Sequence, residues 1–278
     1  MRFAFKTAPQ DTTWADMLAV WKEADGIEAF ESGWLFDHFY PIVGDSAGPC
    51  LEGWSLLAAL AQATSRLRLG TLVTGIHYRH PAVLANMAAG IDIISGGRLE
   101  LGIGAGWNQL ESGAYGIELG TPRERSDRFE EACQVLISLL SKEVTDFSGT
   151  YYQLTDARNE PKGPQRPHPP LVIGGSGERR TLRTTAKYAQ HWNFVGGTAG
   201  DFARKRDVLY QHCADVGRDP KEITLSAHVR LEGDNVAGAA AQAAALGEQG
   251  LDLAIVYLHP PLSPAILAPL ADALAPLG

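Results

Sequence analysis

The chain has 278 residues, of which 45% are hydrophobic and 20% are charged. This balance is typical of a globular protein with a large core, and it excludes a disordered or fibrous chain. The net charge of -8, with no lysine- or arginine-rich run, argues against nucleic acid as a partner because phosphate backbones would be repelled.

The cysteines and the N-terminal residues indicate the cellular compartment in which the protein is expected to fold. Cys50, Cys133 and Cys213 are odd in number and widely spaced, so neither a disulfide framework nor a zinc site is indicated. We therefore expect a reducing cytoplasm. The chain enters a strand pattern without the apolar segment of a signal peptide, and no run is long enough to cross a bilayer. A membrane is not an expected partner.

Short apolar runs bounded by glycine or polar residues alternate with helical patterns along the chain, which is typical of parallel β-α-β units. Strands are predicted at 2–7, 33–38, 67–73, 98–104, 170–174, 191–195, 223–230 and 252–257. Helices are predicted at 14–29, 53–64, 81–94, 123–141, 178–189, 199–216, 235–248 and 263–274. Eight units without a linker favour one α/β domain over residues 1–278, a (β/α)8 TIM barrel. A doubly wound sheet is the alternative.

Two helix ends support these positions. Pro81 stands where the first turn of a helix tolerates a missing N–H, and Gly217 follows a helix as a left-handed stop. The alanine-rich run 237–245 has strong helix propensity and predicts an ordinary outer helix.

Two connections are longer than the turns of a barrel need, and long loops in compact domains are usually functional or disordered. Residues 107–122 follow the fourth strand at the catalytic face. Residues 142–169 contain Gly149-Thr150-Tyr151-Tyr152-Gln153-Leu154, which predicts a short hairpin, and then a proline-rich return. This second insertion starts at the opposite face but is long enough to fold over the barrel. It is a candidate lid or partner surface.

A titratable imidazole stands at the end of the second predicted strand. Gly33-Trp34-Leu35-Phe36 is apolar and is followed by Asp37-His38-Phe39. Polar side chains at the carboxyl ends of TIM-barrel strands face the catalytic mouth, and imidazole exchanges protons near neutral pH. His38 is therefore a candidate acid/base, with a structural histidine as the alternative. Since neighbouring strand residues point to opposite sides, Asp37 is not expected to bond to His38.

The third and fourth strands end in small residues that leave little bulk between the backbone and a flat ligand. The segments are Gly70-Thr71-Leu72-Val73-Thr74-Gly75 and Gly102-Ile103-Gly104-Ala105-Gly106-Trp107. The second segment lacks the GxGxxG spacing of a dinucleotide-binding fold. Ordinary strands with tight turns would have the same composition.

The segment Gly174-Gly175-Ser176-Gly177-Glu178-Arg179-Arg180 joins a buried strand to a helix. Free backbone N–H groups and the positive end of a helix dipole favour a bound phosphate there. Arg179 and Arg180 could add charge-assisted hydrogen bonds, although arginines on helix surfaces are more often solvated. Phosphate sites in TIM barrels commonly follow strands seven and eight, so a site after the fifth strand is unusual for the fold.

The remaining histidines are weaker candidates. His77 and His80 lie in the loop after the third strand, His168 in the proline-rich return and His212 on a helix. His228 and His259 lie on or after the last two strands, so either could reach the mouth. No set of residues has metal-ligand spacing, and no serine lies in GxSxG. Neither a metalloenzyme nor a serine hydrolase is indicated.

Five segments in order carry a family resemblance: Asp37-His38-Phe39, the stretch from Gly70 that ends in Tyr78-Arg79-His80-Pro81, Ile94-Ser95-Gly96-Gly97-Arg98, Gly102-Ile103-Gly104-Ala105-Gly106-Trp107 and Ile173-Gly174-Gly175. Together they resemble the bacterial luciferase-like flavin and deazaflavin oxidoreductases. They are most similar to the branch that uses the 5-deazaflavin coenzyme F420. The resemblance extends from the first strand to about residue 230, and the fold it implies agrees with the strand count.

The resemblance implies a role for each matching residue. Asp37 would contact the deazaflavin ring, His38 would lie near its reactive face, and Leu72-Val73 matches a cis non-proline peptide that bulges against the ring. The other cofactor contacts would be Thr74, Ala105 and Gly106 beside the ring, and Gly174, Gly175, Ser176 and Gly177 at the phosphate of the tail. The implied reaction is hydride transfer between C5 of the ring and a small organic substrate, with His38 moving the proton.

One position departs from part of this family. The sugar-phosphate dehydrogenases of the family carry a glutamate where this chain has Trp107. Their second acid/base is therefore missing, which puts a sugar-phosphate substrate in doubt. Trp107 indicates a more apolar or aromatic pocket wall, with a packing role as the alternative.

Two other functions remain open at this point. A luciferase-type monooxygenase would use the same barrel and phosphate turn with flavin mononucleotide (FMN), although Asp37-His38-Phe39 favours F420. A barrel that binds cofactor without turnover is the third hypothesis, against which the presence of His38 argues. The resemblance also implies a homodimer formed through outer helices, since two-fold dimers are the commonest assembly.

Overall fold

The computed structural model describes residues 1–278. The strands are β1 (Arg2–Thr7), β2 (Phe30–Asp37), β3 (Arg68–Gly75), β4 (Leu99–Gly104), β5 (Thr145–Ser148), β6 (Gln153–Ala157), β7 (Leu171–Gly174), β8 (His191–Phe194), β9 (Thr224–Arg230) and β10 (Leu253–Leu258). The α-helices are α1 (Trp14–Asp25), α2 (Gly53–Ala63), α3 (Pro81–Ile94), α4 (Gln109–Ala114), α5 (Pro122–Ser141), α6 (Thr181–Tyr188), α7 (Ala199–Val216), α8 (Val236–Gly247) and α9 (Leu267–Leu274).

Eight strands close into a barrel in the order β1-β10-β9-β8-β7-β4-β3-β2. The barrel closes because β1 pairs with both β10 and β2, and all the neighbouring pairs are parallel. The predicted (β/α)8 fold is thus confirmed. The doubly wound alternative is wrong, because such a sheet would stay open. The remaining strands, β5 and β6, form an antiparallel hairpin inside the second insertion.

Aromatic side chains pack between the barrel and its helices. Phe5 on β1 meets Trp21 of α1 and Phe30 of β2 edge-on, with ring centroids 5.3 and 5.8 Å apart. Gly33 makes this contact possible, since a Cβ there would lie 2.8 Å from the Phe5 and Trp21 rings. A smaller apolar cluster fills the barrel interior: Ala4, Trp34, Leu72, Val172, Leu253 and Ile255. Because the interior is filled, a ligand must bind at an end of the barrel.

The two predicted helix ends are confirmed. Pro81 is the first residue of α3, and Gly217 ends α7 in a left-handed conformation with φ of +70°. Among the helices, none combines the length and the apolar character that a membrane span requires.

The insertion at 142–169 packs on the side of the barrel. The Glu131 carboxylate on α5 accepts hydrogen bonds from the backbone amides of residues 150–152 in the hairpin turn. Gln165 donates to the Leu99 carbonyl, at the amino end of β4. None of the residues of the segment lines the cavity at the catalytic face. The expectation of a lid is therefore wrong.

Candidate active site

The carboxyl ends of the strands open into a cavity of about 430 Å³. Glycines of β3, β4 and β7 form one part of its wall, and aromatic or titratable side chains form the rest. Seven of the residues predicted for the site line this cavity: His38, Leu72, Val73, Ala105, Gly106, Gly174 and Gly175.

Four predicted site residues lie outside this cavity. Asp37 and Thr74 are fully buried behind its wall. Ser176 and Gly177 line a separate surface groove beside it. The structure therefore divides the predicted site into a mouth cavity and an adjoining groove.

His38 is hydrogen-bonded to a carboxylate that the sequence did not single out. Glu111, on α4 within the first insertion, places Oε1 2.5 Å from Nδ1 of His38. Its Oε2 accepts the backbone N–H of Phe39 at 2.9 Å. The Tyr78 hydroxyl donates to Glu111 and lies 3.2 Å from the same Nδ1. An anion at Nδ1 favours the tautomer with its proton there, which leaves Nε2 of His38 free to exchange protons.

The charge state of this group follows from its contacts. Burial alone would raise the pKa of Glu111, but hydrogen bonds from His38 and Tyr78 outweigh burial and hold that pKa below its usual value. Burial, together with the same carboxylate, raises the pKa of Tyr78 far above that of a free phenol. Glu111 is therefore an anion at neutral pH, and Tyr78 is a neutral hydrogen-bond donor.

The local sequence explains why α4 presents Glu111. The Asn108 side chain accepts the backbone N–H groups of Leu110 and Glu111, and so caps the helix. An asparagine followed three residues later by a glutamate is a recognisable helix start, and this was the signal available in the sequence. The spacing does not reveal that the helix lies against the end of β2.

Asp37 has its own partner. Its carboxylate accepts two hydrogen bonds from Arg79, at 2.6 and 3.1 Å, and Arg79 also contacts Glu52 at 2.6 Å. Burial raises the pKa of Asp37, while Arg79 acts in the opposite direction. The prediction that Asp37 does not bond to His38 is confirmed. The ion pair instead fixes the end of β2 to the loop after β3.

The wall of the cavity bulges at β3. The Leu72–Val73 peptide bond is cis, which confirms the expectation drawn from the resemblance. The Val73 side chain fits over two glycines, because a Cβ on Gly104 would lie 2.8 Å from its Cγ2 and a Cβ on Gly174 would lie 2.9 Å from its Cγ1. This nest of Val73, Gly104 and Gly174 gives the cavity a smooth apolar side.

Trp107 forms another side of the cavity. It is 60% exposed and stands edge-on to His38, with ring centroids 5.4 Å apart. Phe36 meets His38 at 5.3 Å. The packing alternative for Trp107 is wrong, because an indole that served the core would be buried. The aromatic wall predicted at this position is confirmed.

The turn between β7 and α6 holds unsatisfied hydrogen-bonding groups. The backbone N–H groups of Ser176 and Gly177 donate to no group of the protein, and the Ser176 hydroxyl is buried without a partner. Gly175 has φ of +125°, a conformation that is readily adopted only by glycine. Polar groups left free in this way fit a phosphate or another small anion.

The groove beside this turn is positively charged. Four basic side chains and one acidic side chain line it: Arg123, Arg179, Arg180, Lys205 and Glu178. Thr181 lines both the groove and the mouth cavity, so the two lie side by side. In a protein of net charge -8, this groove is a local concentration of basic side chains.

The histidines predicted to reach the mouth are divided by the structure. His228 on β9 lines the cavity. His259 lies outside it, with its ring 4.1 Å from that of Tyr257.

Residues 2–259 match the family described as luciferase-like monooxygenase. The pyrimidine monooxygenase RutA of Methylobacterium radiotolerans is 35% identical over 216 residues, which cover 72% of this chain and 55% of that relative. The F420-dependent hydroxymycolic acid dehydrogenase of Mycobacterium tuberculosis is 31% identical over 228 residues, which cover 81% of this chain and 62% of that relative. The chain thus spans between 55% and 62% of the length of these two relatives.

Two solved structures have the same fold. An F420-dependent secondary alcohol dehydrogenase in complex with an F420-acetone adduct superposes with a TM-score of 0.85 over 98% of both chains, at 18% sequence identity. Monooxygenase RslO1 from Streptomyces bottropensis superposes with a TM-score of 0.83 over 100% of this chain and 99% of its own, at 19% identity. At these identities the likeness concerns the fold.

Proposed function

Since the chain belongs to the luciferase-like monooxygenase family, we propose that it is an F420-dependent oxidoreductase that transfers a hydride between the deazaflavin and a small organic substrate. His38 is the proton donor or acceptor. The observation that carries the proposal is that His38, held by Glu111, lines a cavity that adjoins a groove rich in basic side chains.

The chain supplies the proton chemistry of this reaction. When bound, a deazaflavin accepts or delivers a hydride at C5. An alcohol that loses a hydride must also lose a proton, and a carbonyl that gains a hydride must gain one. Nε2 of His38 exchanges this proton, while Nδ1 stays hydrogen-bonded to the Glu111 carboxylate. The adjacent anion stabilises the positive imidazole, which lowers the barrier to proton transfer.

The two parts of the site would hold different parts of the cofactor. The nest of Val73, Gly104 and Gly174 fits a flat ring, with Ala105 and Gly106 beside it. The turn from Gly174 to Gly177 fits the phosphate. Asp37 and Thr74 lie behind the wall, so their contribution would be to support the ring pocket through the end of β2.

The groove supports F420 over FMN. FMN ends at its phosphate, whereas the tail of F420 continues into further carboxylates. Beyond the phosphate turn, Arg123 and Arg180 pair with Asp127 and Lys205 pairs with Glu178, whereas Arg179 is exposed and has no acidic partner. Charge-assisted hydrogen bonds to Arg179 would add affinity that FMN cannot obtain.

We expect F420 to bind at least about tenfold more tightly than FMN, because only F420 reaches the basic groove. The measurement is a titration of the protein with each cofactor, read from the quenching of cofactor fluorescence. As a control, Arg179→Gln should weaken F420 binding several-fold and leave FMN binding nearly unchanged. Equal or reversed affinities would contradict the F420 assignment.

An FMN-dependent monooxygenase is the second candidate, and the identity of 35% to a pyrimidine monooxygenase favours it. Its barrel and phosphate turn would serve in the same way, but the basic groove would have no ligand. Tighter binding of FMN in the same titration, with oxygen uptake by the reduced complex, would replace our proposal with this one.

Ser176→Ala should weaken the binding of F420 and FMN by about tenfold, because a hydrogen bond to a charged phosphate is worth about 1.5 kcal/mol or more. The free protein should melt at the same or a higher temperature, since the variant removes a buried hydroxyl that has no partner. Riboflavin, which lacks the phosphate, is the matched control ligand and should bind both proteins equally. An equal loss for riboflavin and FMN would place the phosphate elsewhere.

A further inference from the structure

One buried cation at the mouth has no partner of opposite charge. Lys6, on β1, is 4% exposed and lines the same cavity as His38. Its contacts are aromatic, because the ammonium lies 4.7 Å from the centre of the Tyr257 ring and 6.0 Å from that of Phe36. No acidic residue lines the cavity. The ammonium therefore has three hydrogen-bond donors and no acceptor.

Such a position is costly for a charged amine. Burial lowers the pKa of Lys6 to about 7. A lysine that serves only packing could be replaced by an apolar side chain of similar length at a gain in stability. An unpaired lysine that lines a cavity is instead suited to a ligand that brings the missing charge.

The neighbours of Lys6 add polar groups but no charge. His228 on β9 has Nε2 buried without a partner. Burial, and then the charge of Lys6, keep the pKa of His228 well below its ordinary value, and they act in the same direction on His259. Burial raises the pKa of Tyr257. His228, His259 and Tyr257 are therefore neutral near pH 7. His38 on β2 lines the same cavity.

The barrel order separates this cluster from the proposed cofactor wall. Lys6, Tyr257 and His228 lie on β1, β10 and β9, which are consecutive in the barrel. The nest of Val73, Gly104 and Gly174 lies on β3, β4 and β7, which are consecutive in the other half. A ring against the nest would leave the side of the cavity at Lys6 for the substrate.

We propose that Lys6 binds a carboxylate of the substrate, so that the substrate is a small carboxylic acid. This inference rests on the proposed function for the place of the cofactor. A carboxylate fits better than a phosphate, because Lys6 is the only lysine or arginine that lines the cavity. Phe36 lies beside both Lys6 and His38, so a small substrate held by Lys6 can reach His38.

Binding of an anion should draw a proton onto Lys6. Below pH 7 the amine already carries its charge, and the affinity for a carboxylate should be highest. Above pH 7 the proton must be taken up, so the affinity should fall by up to about tenfold per pH unit. Because His228, His259 and Tyr257 are neutral in this range, Lys6→Met should abolish the part of this dependence that comes from the amine.

The test uses benzoate and its neutral counterpart benzamide as probes, with calorimetric titration at pH 6 and pH 8, with and without saturating F420. Benzoate should bind at least about tenfold more tightly than benzamide at pH 6, and its binding at pH 8 should take up close to one proton. Lys6→Met should lose the preference for benzoate while remaining folded. Lys22→Met, an exposed lysine on α1, is the matched control and should keep the preference.

Equal binding of the two probes, an undiminished preference in Lys6→Met, or no binding of benzoate under any condition would overturn the inference. The titrations without F420 separate this result from the proposed function. If benzoate binding depends on Lys6 but the protein does not bind F420, the carboxylate site is supported and the proposed cofactor is wrong. The reverse result would reject the carboxylate site alone.

Discussion

His38→Ala is expected to reduce turnover by about 10²- to 10⁴-fold on a genuine substrate, the usual contribution of a general acid or base. The imidazole lines the cavity and has a fixed anionic partner, whereas Tyr78 beside it is held as a neutral phenol. Cofactor affinity should change little, because the nest and the phosphate turn are untouched. The measurement is steady-state kinetics together with the fluorescence titration.

The matched control is His168→Ala, which removes a histidine from the second insertion and should leave turnover unchanged. If His38→Ala keeps near-normal turnover, the imidazole is a structural residue. His228, which lines the same cavity, would then be the next candidate for proton transfer.

Glu111→Gln is expected to lower kcat by about 10²-fold with little change in KM, because the amide cannot stabilise a positive charge on His38. The amide also permits the wrong tautomer of the imidazole, which is costly in carboxylate–histidine pairs. The dependence of kcat on pH should also shift, because the protonated imidazole of His38 loses its anionic partner. A purely structural role for Glu111 would leave that dependence in place.

Tyr78→Phe is the matched comparison for this carboxylate. It removes the second hydrogen bond to Glu111 but keeps the charge, so kcat should fall by less than about tenfold. Equal losses in Tyr78→Phe and Glu111→Gln would show that the geometry of the group, rather than its charge, governs the proton step.

Local patterns were sufficient to predict much of the fold. The predicted bounds of β1 and α3 agree with the structure, because a clear apolar run and an N-terminal proline mark them. The start of α6 was placed three residues early, at position 178. The helix begins at Thr181 because residues 178–180 form a turn without a side-chain cap. β2 begins at Phe30, before the glycine that was taken as its start.

The sequence predicted only those site residues that lie at the carboxyl ends of barrel strands. His38 and the glycine-rich turns follow from the rule that the carboxyl ends of barrel strands form the mouth. Glu111 does not, because it lies 73 residues along the chain from His38 and only the packing of the first insertion brings them together. Lys6 was also missed, since a lysine at the end of an apolar strand resembles an ordinary solvent-facing residue.

The nest at β3 also has a consequence for redesign of the protein. Val73, Gly104 and Gly174 belong to three different strands, yet they occupy one volume and leave no room for a further methyl group at either glycine. The depth of the mouth is therefore set by a steric unit in the rigid barrel rather than by the surrounding loops. A smaller side chain at position 73 would deepen the pocket without moving a loop, so pocket size and loop sequence are separate engineering variables.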